Sequence, residues 1–336
     1  MDESRGTGQL EQLRAGSHAA GLDAALDQRR AARTTTLIEF QGVGHTYRSF
    51  SGRSVRAVDD FSLSIGESEV FGLAGPNGAG KSTLISLLLG YLEPTDGTVR
   101  VAALRPRAFV ERHGMGYLSE LMAVPPRWKL EEALRRYAIL AGVPRDQVRT
   151  RIEAVVTLMG LDEQRGKRVK QLSKGNLQRL GLAQALLREE RVIILDEPTH
   201  GLDPVWTQRF RDVVDALRRP GRAIFIASHN LDELQRLADR VAIIDHGRLQ
   251  RIVEPRGLQG FSSAPYVFTA VGDDAVIRSV FPQATAAGVG EYALPPLDLA
   301  ALNAGVAQLL QRGVLVSSLR PLHSVLEQHF REAVGQ

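Results

Sequence analysis

The chain contains no cysteine, which excludes disulfides and cysteine-ligated zinc or iron–sulfur centres. No apolar run approaches the roughly 18 residues needed to cross a bilayer, so the chain itself is not expected to span a membrane. No charged segment leads into an apolar one at the start of the sequence, and that pattern argues for a cytoplasmic location. Charge of one sign is also scarce. A net charge of +4 spread over 336 residues fits a solvated, mixed-charge exterior rather than a concentrated basic patch, so nucleic acid is not expected as a partner.

What is present is enough for a large domain with an appendage, since 43% of 336 residues are apolar and the core is not limiting. Residues 1–36 balance Arg5, Arg14, Arg29, Arg30 and Arg33 against Asp2, Glu3, Glu11, Asp23 and Asp27. This segment reads as a flexible tail, with a short docked helix over Leu10, Leu13, Leu22 and Leu26 as the alternative. From Leu37 the pattern changes to strands, with a turn at Ser51 to Ser54 and alternating apolar residues from Phe61 to Ile65, which predicts an antiparallel layer.

The organising stretch is Val70 to Leu89, where an apolar strand breaks into a glycine-rich loop and then a helix. It contains Gly75-x4-Gly80-Lys81-Ser82, the phosphate-binding loop pattern. Gly75, Gly78 and Gly80, with Pro76, Asn77 and Ala79 between them, let successive backbone N–H groups converge on a phosphate. The helix N-terminus adds attraction for an anion. Lys81 is placed to reach the β- and γ-phosphates, and Ser82, followed by Thr83, to offer a hydroxyl to Mg²⁺. A plain glycine turn is the competing reading, and the strand before and helix after argue against it.

Helical periodicity runs from Trp128 to about Leu158, broken at Gly142-Val-Pro144, and a helix is expected from Leu177 to Arg188. Val192 to Leu195 is continuously apolar, as in a strand buried on both faces of a parallel sheet, and ends in Asp196-Glu197. Ala223 to His229 repeats the design with a histidine at the same end. Ligands bind at that end of open α/β sheets.

In this order, the phosphate loop, Leu172-Ser-Lys-Gly-Asn176, Asp196-Glu197, Gly201-Leu-Asp203 and His229 resemble the ATP-binding subunit of ABC transporters, over roughly Leu37 to Val253. The resemblance implies a P-loop NTPase core of α/β class with an antiparallel β layer and a helical insertion at about 120–185. The ATP-binding domain is placed at 37–254 and a small α+β accessory domain at 255–336. It implies ATP and Mg²⁺ as ligands, with Ser82, Asp196 and Glu120 near the metal, Glu197 polarising the attacking water, and His229 contacting the γ-phosphate. A merely electrostatic Glu197 and a satisfied strand-end His229 are the plainer alternatives. Tyr47 either stacks on adenine or is an ordinary half-buried strand tyrosine. Ser173 and Gly175 would close over the nucleotide of a second protomer, and Asp203 lies in the loop coupling the two sites.

The implied protein is a cytoplasmic-face, peripheral ATPase that forms a homodimer or pseudo-dimer and drives a separate membrane permease, as an exporter of the multidrug or antibiotic-resistance type. A soluble ABC-type ATPase working on DNA or the ribosome is disfavoured by the absence of a long heptad insertion or zinc-type cysteines. A non-hydrolysing regulatory module is disfavoured by Lys81, Asp196, Glu197 and His229 occurring together. Three positions depart from the family: Lys174 for glycine, Asn176 for glutamine and Glu120 for glutamine. A carboxylate at 120 adds negative charge near phosphates and raises the need for Mg²⁺. Glu120→Gln is therefore expected to lower the Mg²⁺ concentration required for half-maximal turnover in a Mg²⁺ titration; an unchanged requirement would make Glu120 a passive surface group.

Overall fold

The computed structural model describes residues 35–49, 54–255, 264–322 and 324–335. Except for its last two residues, the tail read at 1–36 lies outside the described residues, as does the turn at Ser51 to Ser54 except for Ser54.

β1 (Thr36–Arg48) and β2 (Ser54–Gly66) pair antiparallel, Phe40 opposite Leu63. Their alternating apolar positions bury one face, where Phe40 and Phe61 meet edge to face at 5.5 Å. β3 (Val70–Ala74) is buried along its whole length and leads through the glycine loop into α1 (Lys81–Leu88). β4 (Asp96–Val101) returns to the other edge of β1, completing a three-stranded layer, and α2 (Pro106–His113) comes after it.

The second sheet explains the site. β5 (Gly116–Leu118), β6 (Val192–Asp196), β7 (Ala223–Ala227), β3 and β8 (Arg240–Asp245) run parallel, and β9 (Arg248–Val253) is antiparallel at the edge. The spatial order is β5–β6–β7–β3–β8–β9. Every residue of β3, β6 and β7 is buried, which accounts for their unbroken apolar runs. Because β6, β7 and β3 are neighbours, their C-terminal ends set Asp196-Glu197, Ser228-His229 and the phosphate loop side by side.

The helical insertion contains α3 (Leu130–Leu140) and α4 (Val148–Leu158), packed through Leu130, Leu134, Ile152, Val155 and Val156. Gly142, at φ +75°, makes the break between them. α5 (Lys174–Ala185) starts three residues before the expected Leu177 and ends three before Arg188. The cause is a cap, because Ser173 Oγ accepts from the Asn176 N–H at 3.2 Å and so satisfies the first turn. Two further helices, α6 (Pro204–Leu217) and α7 (Leu231–Leu237), are capped in the same way by Asp203 and Asn230.

Beyond this first unit, β10 (Ala264–Val271), α8 (Asp274–Val280), β11 (Thr285–Gly288), β12 (Glu291–Leu297), α9 (Leu299–Gln311) and β13 (Leu315–Pro321) form a four-stranded antiparallel sheet ordered β11–β12–β10–β13, with its own core around Phe268, Ile277 and Leu309. α10 (Val325–Val334) returns to the first unit. Leu326 is fully buried in the core of that unit, its N–H donates to Gln235 Oε1 at 2.8 Å, and Arg251 pairs with Glu332 at 2.8 Å. The chain after residue 255 thus supplies both a separate sheet and a helix packed on α7, β8 and β9 of the first unit. Truncating a fully buried leucine costs about 2–5 kcal/mol. Leu326→Ala is expected to lower the unfolding free energy of the first unit by about that amount in denaturant titration; a change under about 0.5 kcal/mol would contradict this packing.

Candidate functional site

Two glycines of the loop between β3 and α1 have no room for a side chain, and a third, Gly78, stands at φ +82° in open space. A Cβ on Gly75 would lie 2.5 Å from the Ile244 carbonyl oxygen, and Gly80 caps α1 at φ +107° with its would-be Cβ 2.6 Å from the Ala57 oxygen. The first turn of α1 carries neither a side-chain cap nor an acidic residue, so its N–H groups and the positive end of its dipole face outward to an anion. Lys81 Nζ donates to the carbonyl oxygens of Gly75 at 2.7 Å and Pro76 at 3.1 Å, which folds the ammonium back over the loop. Burial pulls its pKa down, opposed by the negative charges of Glu197, Asp196 and Glu120.

At the end of β6 two carboxylates are held out of water. Asp196 and Glu197 are each 7% exposed. Burial, followed by repulsion from Glu120 and Glu197, pushes Asp196 up to about 6, although Lys81 pulls the other way. Glu197 stands in the left-handed region at φ +47°, a conformation that strains a non-glycine residue. Three hydrogen bonds hold it there: its N–H donates to Ala227 O at 2.9 Å, and its carbonyl accepts from Gln178 Nε2 at 3.0 Å and from the His200 N–H at 3.1 Å. The strained backbone turns the carboxylate toward β7. There Oε2 accepts from Ser228 Oγ at 3.0 Å, and Oε1 accepts from the His229 N–H at 2.9 Å and lies 2.8 Å from His229 Nδ1. His229 is thereby steered by Glu197 while most of its ring stays in solvent.

A cavity of about 450 Å³ brings together Asn77, Gly78, Gly80, Lys81, Ser82, Thr83, Glu120, Asp196, Glu197 and His229. Gly75 and Pro76 lie beneath it as the acceptors of Lys81, and Ala79 is buried in the loop. Tyr47 is beside the cavity rather than in its wall, with its hydroxyl 3.4 Å from Thr83 Oγ1 and its ring edge-on to His45. Ser173, Gly175 and Asp203 are not in the wall, and Ser173 and Asp203 are exposed. The wall also contains Ala57 and His200, which the sequence motifs do not single out. A titratable residue three positions after Glu197 was the available signal for His200; Ala57 has no chemical side chain and gave none.

The groups present fit a nucleotide with Mg²⁺. Three carboxylates repel one another next to a hydroxyl, and a cation would relieve that repulsion. Among the described residues no cluster of three His, Asp or Glu side chains is tight enough to hold a metal alone. Mg²⁺ keeps waters and takes substrate phosphate oxygens alongside one or two protein ligands. Ser82 and Asp196 are the residues that would hold it.

Fold and cavity together define a P-loop NTPase cassette. The family profile "ABC transporter" matches residues 58–200. An uncharacterized ABC transporter ATP-binding protein of Nostoc sp. is 37% identical over 64% of this chain and 66% of its own length. Another, YhcH of Bacillus subtilis, is 35% identical over 64% and 68%. A solved ATP-binding subunit of an ABC transporter, 25% identical, superposes with TM-score 0.59 over 67% of this chain and 95% of that one. Relatives named for methionine import in Ralstonia nicotianae and for Nod factor export in Mesorhizobium japonicum are 32% and 33% identical over 63% and 64% of this chain, and over 63% and 62% of their own lengths. The chain belongs to the ATP-binding proteins of ABC transporters, a family of ATPases.

The raised pKa of Asp196 has a measurable sign. A carboxyl whose pKa is higher folded than unfolded contributes stability that is complete below about 3.8 and lost as pH rises through about 6. In nucleotide- and Mg²⁺-free protein, Asp196→Asn is expected to stabilise the fold by about 2 kcal/mol at pH 8 and to give no gain at pH 4. Thermal melts at the two pH values check this, and an equal effect at both would contradict it.

Proposed function

We propose that this chain hydrolyses ATP as one half of a dimer that sandwiches two nucleotides, and that it energises export through a separate membrane permease from the cytoplasmic face. One observation carries the dimer. The cavity holds every group for in-line attack of water on a γ-phosphate except the signature residues, and Ser173 and Asp203 instead face solvent outside it. A second copy related by a two-fold axis would bring its signature loop to this cavity, and this one's to that of the copy.

Within the site, Lys81 neutralises charge on the β- and γ-phosphates. When bound, Mg²⁺ polarises the phosphate oxygens and offsets charge on the leaving group. Glu197 orients the attacking water and accepts its proton, and its strained, hydrogen-bonded backbone fixes the carboxylate for that task. The His229 ring, whose Nδ1 lies 2.8 Å from Glu197 Oε1, would transfer that contact to the γ-phosphate, so that ATP takes the ring off the carboxylate and opens Oε1 to water.

Support for a membrane partner is a set of exposed large apolar side chains, three of them in the helical insertion. Leu121 is 85% exposed, Leu140 80%, Tyr91 71% and Ile139 61%, and Leu121 adjoins Glu120 in the cavity wall. A permease seated there would sense the nucleotide through Glu120. Among the described residues no helix is long and apolar enough to cross a membrane, so a partner supplies the path. The export direction rests on the family resemblance and the Nod factor relative; the cargo belongs to the permease.

Glu197→Gln keeps the size of the side chain and one of the two oxygens to which Ser228 Oγ and the His229 N–H separately donate, and removes the base. Turnover is expected to fall about 10²- to 10⁴-fold, with ATP now holding a stable dimer in light scattering. Turnover within threefold of the parent would remove Glu197 from the chemistry.

A further inference from the structure

The two exposed helix starts that the dimer would use are joined to each other inside one protomer. Arg179, on α5, donates from Nη2 to Asn176 Oδ1 in the first turn of the same helix, which with its cap Ser173 carries the signature. From Nη1 it donates to the carbonyl oxygens of Met159 and Gly160 at the end of α4, each at 3.2 Å. Its guanidinium also lies 4.1 Å from the centre of the Trp206 ring. Trp206 is in the first turn of α6, where its N–H is held by Asp203 Oδ1 at 2.9 Å. Arg209 approaches the same ring at 5.2 Å. Gly160 must be glycine here, since a Cβ would sit 2.8 Å from Trp206 Cζ2.

Little of this arrangement is explained by stability alone. Among the described residues Arg179 Nε is buried without a hydrogen-bond partner, and no carboxylate of these bonds the guanidinium. Leaving a buried cation polar atom unpaired is costly. What offsets it is the carbonyl pair, the Asn176 amide and the tryptophan face, and a cation over tryptophan contributes on the order of 0.5–2 kcal/mol. Burial lowers the Arg179 pKa and Arg209 lowers it further, while the Asp203 carboxylate raises it. Asp203 and Arg209, both beside Trp206 on the α6 side, thus act on the Arg179 charge.

We propose that Arg179 and Trp206 are positioning residues that lock the Ser173–Asn176 start of α5 and the Asp203 start of α6 into one preformed face, which meets the nucleotide of a second protomer as a unit. This rests on the dimer reading above. It gives the Asn176 departure a role: its short amide is the signature's tie to Arg179. Binding to a preformed face avoids ordering two segments at the moment of closure, so the lock acts on dimerisation and leaves the affinity of the isolated protomer for nucleotide unchanged.

The test uses the full chain carrying Glu197→Gln, in which ATP is expected to hold the dimer. To this are added Arg179→Met, Trp206→Leu and the conservative Trp206→Phe. Fluorescent mant-ATP, bound at protein concentrations too low to dimerise, reads the protomer's own site; light scattering against protein concentration reads ATP-driven dimerisation. Arg179→Met and Trp206→Leu are expected to raise the dimer dissociation constant about tenfold, equivalent to about 1.4 kcal/mol, with mant-ATP affinity within twofold. Trp206→Phe should recover most of the loss, as it keeps a ring for the cation. If all variants dimerise like the parent, or if mant-ATP affinity falls in step with dimerisation, the lock is overturned. If the Glu197→Gln parent does not dimerise with ATP while binding mant-ATP normally, the dimer reading fails first and the lock with it.

Discussion

The parallel pairing of β6, β7 and β3 governs the chemistry of this molecule. Three neighbouring strands, each buried over five residues, have no choice but to end at the same edge of the sheet. The segments leaving these strands are therefore delivered to one place: a glycine loop that presents N–H groups, a pair of carboxylates, and a serine–histidine pair. Such a concentration of charge is unfavourable by itself. Asp196 is held near 6 by burial and by Glu120 and Glu197, and Glu197 carries backbone strain at φ +47°. Both are relieved or used when a cation and a phosphate chain are present, so the sheet holds ready the interactions that favour the bound state.

Much of that was legible in sequence because it depends on local pattern. The apolar runs ending in Asp196-Glu197 and in Ser228-His229 carry their own address, since a strand with no polar alternation is buried on both faces. The Gly142-Val-Pro144 break marks a helix end for reasons confined to a few residues. Other features depend on contacts that periodicity does not encode. The start of α5 is set by the Ser173 oxygen reaching the Asn176 N–H, which moves the helix three residues. α7 spans seven residues, too few to display an apolar stripe. The apolar face of α10 predicts a helix but not which core receives it, and Leu326 fills the cassette rather than the accessory sheet.

The cavity residues divide along the same line. Lys81 and Ser82 belong to a loop pattern whose spacing states its chemistry, while Asp196, Glu197 and His229 take their expected roles from the family resemblance, and the fold brings all five to one cavity. His200 and Ala57 enter it through the course of the backbone, and a lone histidine in a turn gives no such statement. Ser173, Gly175 and Asp203 are the informative exceptions, because their motif resemblance is as clear as that of the others and yet they stand outside the wall. A site divided between two chains accounts for both facts, and the Arg179–Trp206 contact joins the two exposed parts into one surface.

Complementation between two inactive proteins tests this division most directly. Lys81→Ala removes the phosphate-loop cation and Ser173→Arg blocks the signature loop. If each site is built from the phosphate loop of one protomer and the signature of the other, both variants are inactive alone. Their mixture then contains heterodimers with one intact site. The ATPase rate of an equimolar mixture is expected to reach about a quarter of the wild-type rate, since half the dimers are mixed and each has one working site of two. A mixture no more active than its components, with heterodimer formation verified by differential tagging, would contradict the account and return the whole site to a single chain.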